Sequence, residues 1–152
     1  MSSVVTISGN EPKPSLVEEF VAIYQQLNAQ NLDLLDSVYR QDIRFIDPVH
    51  EVVGLEPVKH YMEKMYRNID DYQLIIKEVV EKPNLAYMDW DMSFRHPKLN
   101  RGKVIQFSGV SKIKFAQTIY YHQDFYDLGS MLYEYIPLLG RVVKLVKSRA
   151  AQ

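Results

Sequence analysis

The chain has 152 residues, which is enough for one domain with a proper hydrophobic core. Hydrophobic residues make up 47% and charged residues 24%, and the formal net charge of −1 gives no electrostatic argument for a nucleic-acid partner. Cysteine is absent, which excludes disulfides, thiolate nucleophiles and cysteine metal sites.

The beginning of the chain predicts a flexible arm. Residues 1–14 mix small, polar and proline residues, and we expect one domain to follow over residues 15–152. No basic segment precedes a long apolar run, so we expect no signal peptide. No apolar run is long enough to span a bilayer. The expected compartment is the cytoplasm.

The first half of the domain has the periodicity of helices. Ser15 and Glu18 form a capping-box pattern that opens a first helix, and Asn31 can cap a second, short one. A short strand is predicted over residues 42–47. Pro57 fits the first turn of a third helix, where its missing N–H costs no hydrogen bond.

The second half of the domain alternates with the period of strands. Strands are predicted over residues 72–80, 86–95 and 103–115, and a fourth begins at about residue 118. The short links between them indicate an antiparallel meander. Helices that precede strands predict an α+β fold in which the helices cover one face of the sheet.

The last strand carries polar residues where apolar ones would be expected. His122 and Asp124 share one face with Tyr120 and Tyr126, whereas Asp127 has the opposite phase. If this face points inward, His122 and Asp124 form a base oriented by a carboxylate, which suits proton transfer. The alternative is a polar pair on the solvent-facing or dimer-facing side. We favour the inward orientation.

The order of elements and three short segments resemble a known superfamily. The segments are Asn28-Ala29-Gln30-Asn31-Leu32-Asp33, Asp47-Pro48-Val49 and the aromatic-rich run from His122 to Asp127. Together they resemble the nuclear transport factor 2-like superfamily, which includes SnoaL-like polyketide cyclases and ketosteroid isomerases. The resemblance implies a cone, in which a curved antiparallel sheet encloses an apolar pocket and the helices close its narrow end. We expect a small apolar ligand and a homodimer.

The resemblance implies acid/base roles for aspartates. In ketosteroid isomerases the aspartate of the Asp-Pro pair is the general base, and it corresponds to Asp47 here. The ordinary alternative is a carboxylate that only caps the turn before Pro48. In SnoaL-like cyclases the acid/base lies on the last strand, which is best matched by Asp127, with Asp124 as the alternative.

The two oxyanion donors of ketosteroid isomerases have no match in this chain. The first position holds Ile23, with Tyr24 beside it, and the second holds Ser111. Steroid isomerisation is therefore not expected. In a cone of this type we expect four residues to line the pocket and contact the ligand: Tyr24, Trp90, Ser111 and Tyr126.

No cofactor or metal is expected. The sequence has no glycine-rich phosphate loop and no dinucleotide motif. His122, Asp124 and Asp47 have the ligand types of a divalent metal site. However, no second histidine converges on them, so we expect no metal there.

The segment from Met131 to Lys147 is apolar with basic residues interspersed. Such a helix can lie on an anionic membrane surface. The alternative is a helix packed across the mouth of the cone or against a partner subunit, with Leu138 and Val142 in its apolar stripe. We favour the alternative, so membrane contact is not expected.

The sequence leaves three functions open, because this fold hosts enzymes, binding modules and assembly domains. The first is acid/base isomerisation, cyclisation or dehydration of an apolar, carbonyl-bearing ligand. The second is non-catalytic binding of a hydrophobic ligand, and the third is a dimerisation or scaffold domain. A carboxylate facing the pocket favours the first, a wholly apolar cavity the second, and a cavity filled by Trp90 and methionines the third.

Overall fold

The structure is a computed structural model that describes residues 12–131 and 139–152. Most of the predicted N-terminal arm therefore lies outside the described residues. Residues 132–138, which belong to the predicted C-terminal helix, also lie outside them.

The predicted helices are present among the described residues, and two further short helical segments appear, at Asn100–Gly102 and Leu128–Met131. The capping box is confirmed, because Ser15 Oγ accepts a hydrogen bond from the Glu18 N–H and the Glu18 carboxylate accepts one from the Ser15 N–H, both at 3.1 Å. None of the described helices is long and apolar enough to cross a membrane. The helices are α1 (Leu16–Tyr24), a 3₁₀ helix (Leu32–Ser37), α2 (Leu55–Arg67), α3 (Leu128–Met131) and α4 (Leu139–Ala150).

The strands form one six-stranded sheet in the order β2-β1-β6-β5-β4-β3. Their bounds are β1 (Tyr39–Ile46), β2 (Glu51–Val53), β3 (Asp70–Lys82), β4 (Leu85–Arg95), β5 (Ile105–Phe115) and β6 (Ile119–Tyr126). The predicted meander is confirmed for β3 to β6, because each of these strands pairs antiparallel with the next one in the chain.

The sheet differs from the prediction at its β1 edge. β1 begins three residues earlier than expected and runs parallel to β6, so the sheet is mixed and not wholly antiparallel. β2 was not predicted, since three residues are too few to show a period. It pairs with β1 through a tight turn in which the Asp47 N–H donates to the His50 carbonyl at 2.9 Å.

The core lies between the concave face of the sheet and the helices. α1 buries Phe20 and α2 buries Met62, and both side chains meet inward-facing residues of the strands such as Met88 and Ile113. The α+β fold with helices packed on a curved, open sheet is therefore as predicted.

Gly109 makes room for the indole of Trp90 in the adjacent strand. The two residues face each other in the register of β4 and β5. A Cβ at residue 109 would overlap the six-membered ring of Trp90 and lie 2.8 Å from the Phe125 carbonyl oxygen. A backbone oxygen cannot move aside as a flexible side chain can, so any side chain at this position must displace the indole.

We predict that Gly109→Ala lowers the free energy of unfolding by about 1–3 kcal/mol, because overpacking forces the core to shift. Urea unfolding followed by tryptophan fluorescence measures this directly, since Trp90 is the only tryptophan in the chain. Gln106→Ala, at an exposed position of the same strand, is the control and should change stability little. Equal stability of Gly109→Ala and the wild type would show that the indole has space to move.

Candidate active site

The concave face of the sheet and the helices enclose a cavity of about 540 Å³. A deeper pocket of about 60 Å³ adjoins it toward α1. Asp124 and Trp90 belong to the walls of both, whereas Tyr126 lines only the outer cavity. The cavity has the size of a small-molecule site, and it is neither filled by side chains nor wholly apolar.

A buried hydrogen bond joins His122 and Asp124 on β6. His122 is 1% exposed, and its Nε2 lies 2.6 Å from Asp124 Oδ1. Phe20 and Phe45 pack edge-on against the imidazole, with ring centroids 5.4 and 4.9 Å away. Both polar side chains point to the concave side of the sheet, as the period of the strand predicts.

Two phenols complete the environment of His122 on its other side. The Tyr39 hydroxyl lies 2.6 Å from His122 Nδ1, and the Tyr24 hydroxyl is hydrogen-bonded to that of Tyr39. Burial raises the pKa of both tyrosines well above the ordinary value, so they remain protonated donors. One proton arrangement accounts for these three bonds: Tyr24 donates to Tyr39, Tyr39 donates to Nδ1, and Nε2–H donates to Asp124.

Ser111 and Trp90 fix the carboxylate from β5 and β4. The Trp90 Nε1–H donates to Ser111 Oγ at 2.9 Å, and the Ser111 hydroxyl donates to Asp124 Oδ1. The Asp124 side chain is 18% exposed. Within the described residues all hydrogen bonds to this carboxylate reach Oδ1. Asp124 Oδ2 is therefore the oxygen that a ligand in the cavity can reach.

Asp47 also lies in the wall of the outer cavity, but both of its oxygens are occupied. Oδ1 accepts from the backbone N–H groups of Val49 and His50, both at 2.8 Å, and Oδ2 accepts from the Tyr61 hydroxyl at 2.6 Å. Both interpretations of the sequence thus apply, because the carboxylate caps the turn and faces the cavity. Oδ2 accepts only one of the three bonds, so a proton taken up by Asp47 would share that oxygen with the Tyr61 hydroxyl.

Asp127 lies away from the cavity. Its side chain is half exposed, accepts hydrogen bonds from the N–H groups of Gly129 and Ser130 at the start of α3, and forms an ion pair of 2.8 Å with Lys147. This ion pair lowers the pKa of Asp127 below the ordinary value. Of the two aspartates that the resemblance left open, the structure brings Asp124, and not Asp127, to the cavity.

The four expected ligand contacts all lie on cavity walls. Tyr24 and Ser111 line the deeper pocket, Tyr126 lines the outer cavity, and Trp90 lines both. Burial raises the pKa of Tyr126 above the ordinary value, so its hydroxyl remains a donor.

Sequence reasoning missed two polar residues of the site. Tyr39 lies just before the strand predicted over residues 42–47, and Tyr61 follows Pro57 in the third predicted helix. Neither was selected as a site residue, because tyrosine counts as apolar in a periodic pattern. The available signal was the abundance of tyrosine itself, which is 11 residues in this chain.

The fold is that of the nuclear transport factor 2-like proteins, and the chain belongs to the SnoaL-like domain family. The sequence profile of this family matches residues 17–118. Among curated proteins, the cyclase aurE of Calcarisporium arbuscula is 25% identical over 87 residues. That match covers 55% of this chain and 64% of aurE, which is less than two thirds of that relative's length.

Solved structures show the same fold. A hypothetical protein from Catenulispora acidiphila with a ketosteroid isomerase-like fold, in complex with trimethylamine, has a TM-score of 0.67 at 15% identity, covering 78% of this chain and 90% of that one. A protein from a Jannaschia species, described as a SnoaL-like polyketide cyclase, has a TM-score of 0.67 at 14% identity, covering 79% and 92%.

We predict that the pKa of the Asp127 carboxyl lies below its ordinary value of about 3.9, because Lys147 stabilises its charged form. A lowered pKa in the folded state contributes stability above the unfolded pKa, and this contribution is lost as the pH falls through the folded pKa. Carbon-13 NMR titration measures the pKa, with Asp127→Asn to assign the signal. In Lys147→Met the pKa should rise toward the ordinary value, and an unchanged pKa would contradict the assignment.

Proposed function

We propose that the protein is an acid/base enzyme that isomerises, cyclises or dehydrates a small, apolar, carbonyl-bearing ligand without a cofactor. One observation carries this proposal. Asp124 has one oxygen held by His122 and Ser111 and the other unengaged, at the wall of a cavity of about 540 Å³. A positioned carboxylate in a largely apolar site is the arrangement that general base catalysis needs.

The proposed chemistry follows from this geometry. Asp124 Oδ2 removes a proton from the carbon next to the ligand carbonyl, and the electrons of the broken C–H bond move to the carbonyl oxygen as an enolate. In an isomerisation, the proton held by Asp124 returns to a different carbon that is conjugated with the enolate. In a cyclisation, the enolate carbon attacks a second carbonyl carbon, and the oxygen of that carbonyl takes the proton from Asp124. Tyr126 is a candidate donor to the enolate oxygen, because it lines the same cavity and keeps its proton.

His122 has a positioning role in this proposal. It is buried behind Asp124, and its two nitrogens are both engaged, with Asp124 on one side and Tyr39 on the other. An imidazole held in this way fixes the direction of the carboxylate and stabilises its negative charge. The proton leaves the ligand to Asp124, and His122 keeps the receiving group in place.

The chemistry of the cavity wall favours an enzyme over the two alternatives. A scaffold domain needs no open cavity, and a binder of purely apolar ligands needs no free carboxylate oxygen. The name of aurE, a cyclase, agrees in class with the proposed chemistry.

Asp124→Asn tests the proposal with 5-nitrobenzisoxazole as a probe. A general base removes its C–H proton while the N–O bond breaks, which gives a coloured cyanophenolate without any cofactor. We expect the substitution to lower kcat/KM by about 100-fold or more, because amide nitrogen and oxygen cannot take up the proton. Asp42→Asn, at an exposed position of β1, is the matched control and should keep the activity.

The remaining outcomes separate the alternatives. Loss of activity in Asp47→Asn or Asp127→Asn, with Asp124→Asn active, would move the base to that residue. A wild type that reacts no faster than acetate, yet whose Trp90 fluorescence is quenched by the probe, would be a binding protein and not a base catalyst.

We propose that the chain also forms a homodimer through the convex face of the sheet. Val110 and Phe125 pair across β5 and β6 and are 37% and 47% exposed, and the half-exposed Tyr87 lies on the same face. We predict that Phe125→Asp yields monomers in sedimentation velocity, because a buried charge without a partner opposes association. A wild type that sediments as a monomer would overturn this.

The cytoplasmic compartment stays a prediction.

A further inference from the structure

Helix α4 attaches to the domain along one line of its surface. Gly140 is buried, Val143 is half buried, and Lys147 forms the ion pair with Asp127. These three residues are spaced i, i+3 and i+7, so they lie on one face of the helix. Lys147 Nζ also lies beside Gly129 of α3. This face fixes how the helix sits on the domain.

The apolar residues of α4 lie mostly off this line and face solvent. At about 100° per residue they form a continuous arc beside the attached face. No described residue of α4 lines the cavity. The exposed members of the arc are Leu139 (44%), Val142 (50%), Leu145 (53%) and Val146 (61%).

The other surface of α4 is basic. Arg141 and Lys144 lie on it, whereas Arg149 in the last turn has the phase of the apolar arc, and the helix contains no acidic residue. The whole chain has a formal net charge of −1, so the positive charge of α4 is balanced by a net negative charge on the rest of the chain.

We propose that α4 lies in the surface of an anionic membrane, with its apolar arc among the acyl chains and its cations at the lipid phosphates. An exposed apolar arc flanked by lysine and arginine is the pattern of interfacial helices. Anionic headgroups attract such cations from the water phase. A second copy of α4 fits less well, because a two-fold contact would bring cations against cations.

Helix α4 is connected to the wall of the outer cavity through α3. α3 touches α4 through Gly129 and Lys147, and Met131 at the end of α3 lines the outer cavity. A membrane that covers the arc of α4 is therefore separated from α3 by about the width of one helix. The inference stands whether or not the cavity is catalytic.

Single labelled cysteines test the orientation directly, because the wild-type chain contains no cysteine. Val146→Cys places a nitrobenzoxadiazole label in the apolar arc, and Ser148→Cys places it on the opposite side of the same helix. With vesicles of equal parts phosphatidylcholine and phosphatidylglycerol, we expect the label at residue 146 to shift to the blue and brighten at least twofold. The label at residue 148 should change little.

Vesicle flotation of the full chain tests the charge dependence. The wild type should float with the same anionic vesicles and far less with phosphatidylcholine alone. The double variant Arg141→Glu/Lys144→Glu should bind about tenfold more weakly or worse, because each cation near the surface contributes to binding. Val53→Glu, at an exposed valine of β2, is the control and should bind as the wild type does.

Three results would overturn the proposal: no flotation of the wild type, equal flotation of the double variant, or equal spectral shifts at residues 146 and 148. Sedimentation velocity adds a fourth, since a dimer that Val146→Glu converts to monomers would make the arc a contact between protein chains. Thermal melting by circular dichroism shows that the variants are folded, which the exposure of these positions leads us to expect.

Discussion

The hydrogen bond between His122 and Asp124 is the interaction around which the site is built. A buried imidazole and a nearly buried carboxylate are each costly alone, and they become acceptable only as a fully bonded set. β6 lies between β1 and β5, so Tyr39 from one neighbour and Ser111 from the other reach the two ends of the pair. The parallel pairing of β1 with β6 thus has a chemical consequence, because it supplies the donor behind the imidazole.

The two cavity carboxylates show how neighbours decide what an aspartate can do. Asp47 accepts three hydrogen bonds and holds the turn between β1 and β2. Asp124 is also firmly held, but through one oxygen only. Both oxygens of Asp47 accept hydrogen bonds from the protein, whereas Asp124 Oδ2 accepts none from the described residues. This difference depends on which donors surround each group, and it cannot be read from the residue type.

The sequence predicted the fold well because periodicity and turn residues are local. The alternation of β6 placed His122 and Asp124 on one face, and the same argument gave Asp127 the opposite phase. It could not show that β1 runs parallel to β6, since that pairing joins segments far apart in the chain. For the same reason Tyr39 was missed, because its role depends on His122, which lies 83 residues later. The C-terminal helix was predicted from its apolar stripe, but a stripe of valines does not reveal what covers it.

Gly109 sets the depth of the cavity. The indole of Trp90 rests across the bare backbone of this residue, and that position is what keeps the ring out of the space beyond it. A larger residue at 109 would push the ring into the cavity and shorten the longest ligand that fits. Relatives with the same fold and cavity carboxylate but a side chain at this position should therefore accept smaller ligands, so one position on β5 limits the length of the ligand.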